Sequence, residues 1–171
     1  MDTLLAIASR RDERRTLPAA LPDAVVERLL NAGRLSGSSR NTQPWVFVVP
    51  EGRATIEALA AAVFVPENVL SAGLVVAILV HGKGPVSFDA GRAAQSMLLA
   101  AWAEGLASCP NGIADEELAR QALGVGEQES PVIVLSFGLP EKPRDPERHS
   151  VEEWSLRANR KPLAEVVRRI P

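Results

Sequence analysis

The stretch FDAGRAAQSMLLAAWAE, Phe88 to Glu104, reads as one helix whose two halves differ. Arg92, Gln95 and Ser96 make a polar stripe along the first half only. From Met97 to Ala103 the pattern is apolar all round, and such a helix is buried on every side, in a central core or against another subunit. Just before it, Ala72 to His81 is a continuous apolar run of strand length, which implies burial on both faces. Trp45 to Val49 and Pro131 to Phe137 read as strands of the same kind. Helices combined with three or four buried strands make an α+β sandwich. At 171 residues the chain is expected to form a single domain, 1–171.

The remaining elements fit around this centre. Asp2 to Arg10 carries an apolar stripe, and Asp2 can serve its N-terminus. Arg11 to Leu21 is expected to be extended. Pro22 to Arg34 has Val25, Val26, Leu29 and Leu30 on one face and charged or amide side chains on the other. Between Val49 and Ala72 there is room for one helix, the alanine-rich Arg53 to Val63. Asp115 caps a helix from Glu116 to Leu123, which Gly124 stops. The segment Glu141 to Pro171 is rich in charge and proline, with one late helical pattern, Leu163 to Arg169.

Composition excludes several kinds of chemistry. A net charge of −2 provides no field for gathering nucleic acid or anionic membrane. The longest apolar run falls far short of the ~20 residues that span a bilayer. Cys109 is the only cysteine, so an intrachain disulfide is impossible. No signal peptide fits the start, and a cytoplasmic location is expected. There is no third glycine for a dinucleotide fingerprint, no Gly-Lys-Ser/Thr phosphate loop, no paired-histidine or Cys-x-x-Cys metal motif and no nucleophile elbow. His81 and His149 stand alone, and Cys109 has no activating partner nearby in sequence. An enzyme built on this chain would import its chemistry with a cofactor.

Two features could hold one. Arg10, Arg11, Arg14 and Arg15 crowd four guanidinium groups into one turn, either a solvated charged segment or a bidentate phosphate site. GSSRNTQPWVFVV, Gly37 to Val49, concentrates hydroxyl and amide groups at the mouth of a strand. These either bond their own backbone or meet the edge of a flat heterocycle.

Together these stretches resemble the FMN-dependent nitroreductase family. Arg10-Arg11-Asp12-Glu13-Arg14 is similar to that family's Arg-Arg-Ser-x-Arg. Ser38-Ser39-Arg40-Asn41-Thr42-Gln43-Pro44-Trp45 resembles its Ser/Ala-x-Asn-x-Gln-Pro-Trp stretch. DAGRAAQSMLLAAWAEGLAS resembles its long central helix, ADEELARQALGV and PVIVLSFGLP its next elements, and Arg160-Lys161-Pro162-Leu163 its closing segment. The resemblance implies a three-layer sandwich with a mainly antiparallel central sheet flanked by helices. It implies a homodimer with FMN at the subunit interface and NAD(P)H as electron donor. Arg10, Arg11, Asp12 and Arg14, with Arg160 from the tail, would meet the phosphate. Ser38, Ser39 and Asn41 would reach the flavin of the partner subunit. Pro110, Asn111 and Gly112 would present a main-chain N–H to flavin N5. Asp12 departs from the family's serine and is repulsive to a phosphate. Either its main-chain N–H serves while the carboxylate turns to Arg14 or Arg15, or the phosphate sits differently, or FMN binds weakly.

The implied activity is a flavoprotein oxidoreductase passing electrons through flavin N5 to a nitroaromatic, quinone or similar small acceptor by a ping-pong mechanism. No metal and no catalytic side chain are expected. The alternatives are another reaction on the same fold (heterocycle oxidation, dehalogenation, flavin breakdown) or a flavin-binding protein that turns nothing over.

Overall fold

The computed structural model describes residues 2–170; Met1 and Pro171, the ends of the expected 1–171 domain, lie outside them. Every residue of Leu74–Val80 (β2) is buried, which demands a covering layer on each face of its sheet. That sheet also contains Trp45–Val48 (β1), Ala107–Asn111 (β3) and Ser130–Gly138 (β4), in the order β1-β2-β4-β3. All three pairings are antiparallel. Alternate residues of β2 then serve opposite layers, as the strand period of two requires. Leu74, Val76, Ile78 and Val80 join a cluster containing Leu29, Met97, Leu98 and Phe137. Val75 and Ala77 join the other, with Leu59, Val69, Ala119 and Val134.

The first layer is built by Asp23–Arg34 (α2) and Val86–Ala103 (α5); the second by Arg53–Ala61 (α3), Pro66–Leu70 (α4) and Glu116–Leu123 (α6). Asp115 accepts the Leu118 N–H at 2.9 Å to start α6, and Gly124, in the left-handed region, ends it. The three layers lie within residues 11–143, one of two compact units.

Residues 2–10 with 144–170 make the other unit. Thr3–Ser9 (α1) is capped by Asp2, which accepts from Leu4 and Leu5 N–H. It packs against Val151–Arg157 (α7), whose N-terminus is a reciprocal capping box of Ser150 and Glu153. Trp154 is buried there and donates its indole N–H to Pro146 C=O at 2.8 Å. Leu163–Val166 (α8) is a single exposed turn.

Three expectations need correction. The interval after Val49 holds two helices, because Pro66 restarts the chain as the first residue of α4. β1 is an edge strand with only Trp45 buried, since a short apolar run looks the same at an edge or in the middle. The tail contains α7, and its late helix stops at Val166 rather than Arg169. Within the single chain the stretch from Met97 to Ala103 is covered in part: Leu99 and Ala100 are half-buried and Ala103 is exposed.

Candidate functional site

The polar run before β1 folds as a tight turn, Ser39–Asn41, with Arg40, Asn41 and Gln43 all at positive φ. Its side chains divide between the two roles that the sequence leaves open. Ser38 Oγ accepts the Gln43 N–H at 2.8 Å, and Thr42 donates its hydroxyl to Ser39 C=O at 2.9 Å, so both bond the loop's own backbone. Asn41 and Ser39 are exposed. The loop is pinned to α5 by Asp89, a buried carboxylate that accepts the Ser39 N–H at 2.9 Å and lies 3.8 Å from Arg92 Nη1. A carboxylate out of water needs such donors. Arg92 lies over Gly37, where a Cβ would come within 2.5 Å of its Nη2 and push the guanidinium aside. Ser39, Arg40, Thr42 and Asp89 line one side of a cleft of about 350 Å³ whose other side is Lys83 to Val86.

The second part of the site is the outer edge of β3. Ser108 C=O accepts the Glu13 N–H at 3.0 Å, so the main-chain groups of Ser108 face away from β4. Along an extended strand every second residue faces the same way, which turns Pro110 and Gly112 outward too. Gly112 C=O accordingly accepts from Phe64 N–H at 3.1 Å. Proline is tolerated at this position because its missing N–H would have faced outward. Between the two covering contacts the edge is bare. Among the described residues neither Pro110 C=O nor Gly112 N–H makes a main-chain hydrogen bond, and Pro110 C=O accepts from the Cys109 thiol at 3.5 Å. Phe64, 73% exposed, stands beside it, its ring 3.2 Å from where a Cβ on Gly112 would lie. Ser108 Oγ is buried and has no hydrogen-bond partner among the described residues.

Of the residues expected at the phosphate, Arg11, Asp12 and Arg14 belong to the larger unit and Arg10 and Arg160 to the smaller. Arg10 is the residue that closes α1. Arg160 is exposed after α7. Pro110, Asn111 and Gly112 are together by sequence, but Asn111 turns its side chain inward and is 4% exposed. Residues that sequence reasoning missed are Asp89 as an anchor, Phe64 as a wall and Asn68, which bonds Asn111 from α4. The acidic start of the long helix was the one available signal for Asp89. Among the described residues no group of three or more potential ligands could hold a metal, and no helix is long and apolar enough to cross a membrane.

Comparison with known proteins converges on one family. The model of the nitroreductase family matches residues 7–77 and 86–139. A protein named "Putative NADH dehydrogenase/NAD(P)H nitroreductase" from Methanothermobacter thermautotrophicus is 28% identical, over 90% of this chain and 88% of that one. Among solved structures, "a putative nitroreductase in complex with fmn" from Desulfovibrio desulfuricans is 28% identical with a TM-score of 0.82, covering 100% of this chain and 98% of that one. A nitroreductase family protein from Clostridium difficile 630, 22% identical, shares the fold with the same TM-score of 0.82 over 98% of each chain.

Proposed function

The chain belongs to the nitroreductase family, and from that premise we propose that it is an FMN-dependent oxidoreductase carrying electrons from NAD(P)H to a nitroaromatic, quinone or similarly small acceptor. The observation that carries the reading is the bare edge of β3. A flavin presents acceptors at N5 and O4 and a donor at N3, and Gly112 N–H with Pro110 C=O offer a donor and an acceptor, facing the same way. The residues present therefore fit the cofactor. Arg11 and Arg14 supply cations for its phosphate, and Asp12 its main-chain N–H. Ser38, Ser39 and Asn41 approach the flavin of a second copy, which the exposed Ser39 and Asn41 are free to do.

Bound FMN would supply two-electron redox chemistry, and this chain's part is to place and polarise it. A main-chain N–H aimed at an atom that gains electron density stabilises the product of that change without reorganising. Phe64 narrows the approach from solvent and gives a flat acceptor an aromatic surface. No side chain of this chain is assigned a proton transfer. Donor and acceptor occupy the same space in turn, so double-reciprocal plots against the two substrates should be parallel, as in a ping-pong mechanism. The deciding experiment is anaerobic titration of the FMN-loaded protein with NADH and with NADPH. Loss of the flavin absorbance with either nucleotide, before any acceptor is added, is expected; retention of the full spectrum with both would overturn the reading.

A further inference from the structure

Asn68 and Asn111 lie in a layer of the molecule that is otherwise aliphatic, and both are almost wholly buried. Asn68 Nδ2 on α4 donates to Asn111 Oδ1 at 3.0 Å. Asn111 Nδ2 in turn shares its two hydrogens among Cys109 C=O, Val134 C=O and Ser136 Oγ, each at 3.1 Å. Ser136 Oγ closes the ring by donating to Cys109 C=O at 3.2 Å. One side chain from a helix, one from an edge strand and one from an inner strand thus meet beneath a single point of the backbone. Asn111 is the last residue of β3, and at Gly112 the chain transfers its bonding from β4 to Phe64. The last rung of an edge strand frays unless something besides the ladder holds it. Leucine would fill the same volume at lower desolvation cost, so the gain from three polar groups here is direction.

We propose that Asn68, Asn111 and Ser136 are positioning residues that fix the direction of the Gly112 N–H for the reaction. The proposal rests on the flavin reading above. Asn68 acts through Asn111, Ser136 through Asn111 and the Cys109 C=O, and a helix remote in sequence from the strand is thereby made part of the site. A loosened Gly112 N–H stabilises the reduced flavin less, so the midpoint potential falls.

The test is the two-electron midpoint potential of FMN-loaded protein, measured with its melting temperature, in Asn68→Leu, Ser136→Ala and Leu59→Ala. Leu59 lies in the same layer and bonds nothing by its side chain, so Leu59→Ala reports packing loss alone. Asn68→Leu and Ser136→Ala are expected to shift the reduction equilibrium by up to about tenfold toward the oxidised form, about 30 mV for two electrons. Leu59→Ala is expected to lower the melting temperature with the potential unmoved. Potentials of both polar variants equal to wild type would overturn the proposal, and so would an equal shift in Leu59→Ala. Ser136→Ala removes one oxygen and keeps the test open should Asn68→Leu not fold. A wild-type protein that binds no FMN would remove the flavin reading and this proposal with it; intact binding and reduction with unmoved potentials would remove this proposal alone.

Discussion

The two faces of the sheet keep their polar groups in different places. Beneath α2 and α5 the core from Leu29 and Met97 to Phe137 is apolar, and the buried carboxylate of that layer, Asp89, sits in the first turn of α5, where it accepts the Ser39 N–H. The layer's other polar links lie at the rim: Ser36 Oγ donates to Ser96 Oγ at 2.7 Å, and Arg28 holds Glu104 in a two-pronged ion pair. Beneath α3, α4 and α6 the polar groups are inside, as the Asn68–Asn111–Ser136 network. The difference separates two tasks. The first face contributes stability by burial alone, because an apolar core has no directional bond to satisfy. The second spends part of its interior on holding one strand end, next to the bare edge at Gly112.

The comparison is broken most strongly at Phe137, fully buried in the first face. Phe137→Ala removes a ring that close-packed neighbours cannot replace, and is expected to cost about 3–5 kcal/mol of unfolding free energy. Against a total of ~5–15 kcal/mol, that brings the protein near the edge of folding. Urea denaturation measures it. A loss below about 1 kcal/mol would show that the first face is not packed as tightly as its composition requires.

A smaller effect tests the second face. Asn68→Ala leaves Asn111 Oδ1 buried without its donor, at a cost of about 1–3 kcal/mol. Asn111→Ala removes the acceptor together with three further bonds. The double variant should cost less than the sum by about 0.5–3 kcal/mol, the signature of groups in one network. Strict additivity would mean that the two amides act independently and that the second face is merely another core.

What the sequence discloses follows the same division. The first face is legible because burial leaves a pattern: the continuous apolar run of β2 and the apolar second half of α5 can be read without partners. The polar turn Ser39–Asn41 stands out in the sequence as a candidate site because so many amides and hydroxyls at a strand mouth need a use. β3 was not, since Ala-Ser-Cys-Pro-Asn has neither alternation nor an apolar run, and its proline argues against a strand until its edge position is known. The network was beyond reach for a different reason. Asn68, Asn111 and Ser136 are far apart in the chain, and only the pairing of β3 with β4 beside α4 brings them together. α7 was within reach: Ser150 and Glu153 spell a capping box that the surrounding charge obscured.

The smallest expected effect belongs to the rim of the first face, where Arg28 donates through Nη2 to Glu104 Oε2 at 2.8 Å and through Nε to Oε1. Hydrogen bonding from Arg28, with its charge added, holds the Glu104 carboxyl below its ordinary value of 4.5, while the same bond raises the guanidinium above its own. The raised Arg28 matters only above any pH at which the protein is assayed. For Glu104 the folded value is the lower one, so the unfolded chain takes up the proton first as pH falls. The contribution is therefore complete above 4.5 and is lost as pH drops through the depressed folded value. Both partners are open to water, so salt screens the pair. The melting temperatures of wild type and Arg28→Ala should differ slightly near neutral pH, by less in high salt, and converge in acid. A gap that survives acid unchanged would assign the effect to the aliphatic stem of Arg28 lying along α5 rather than to its charge. This corner of the first face would then contribute by apolar contact, unlike the buried amides of the second face.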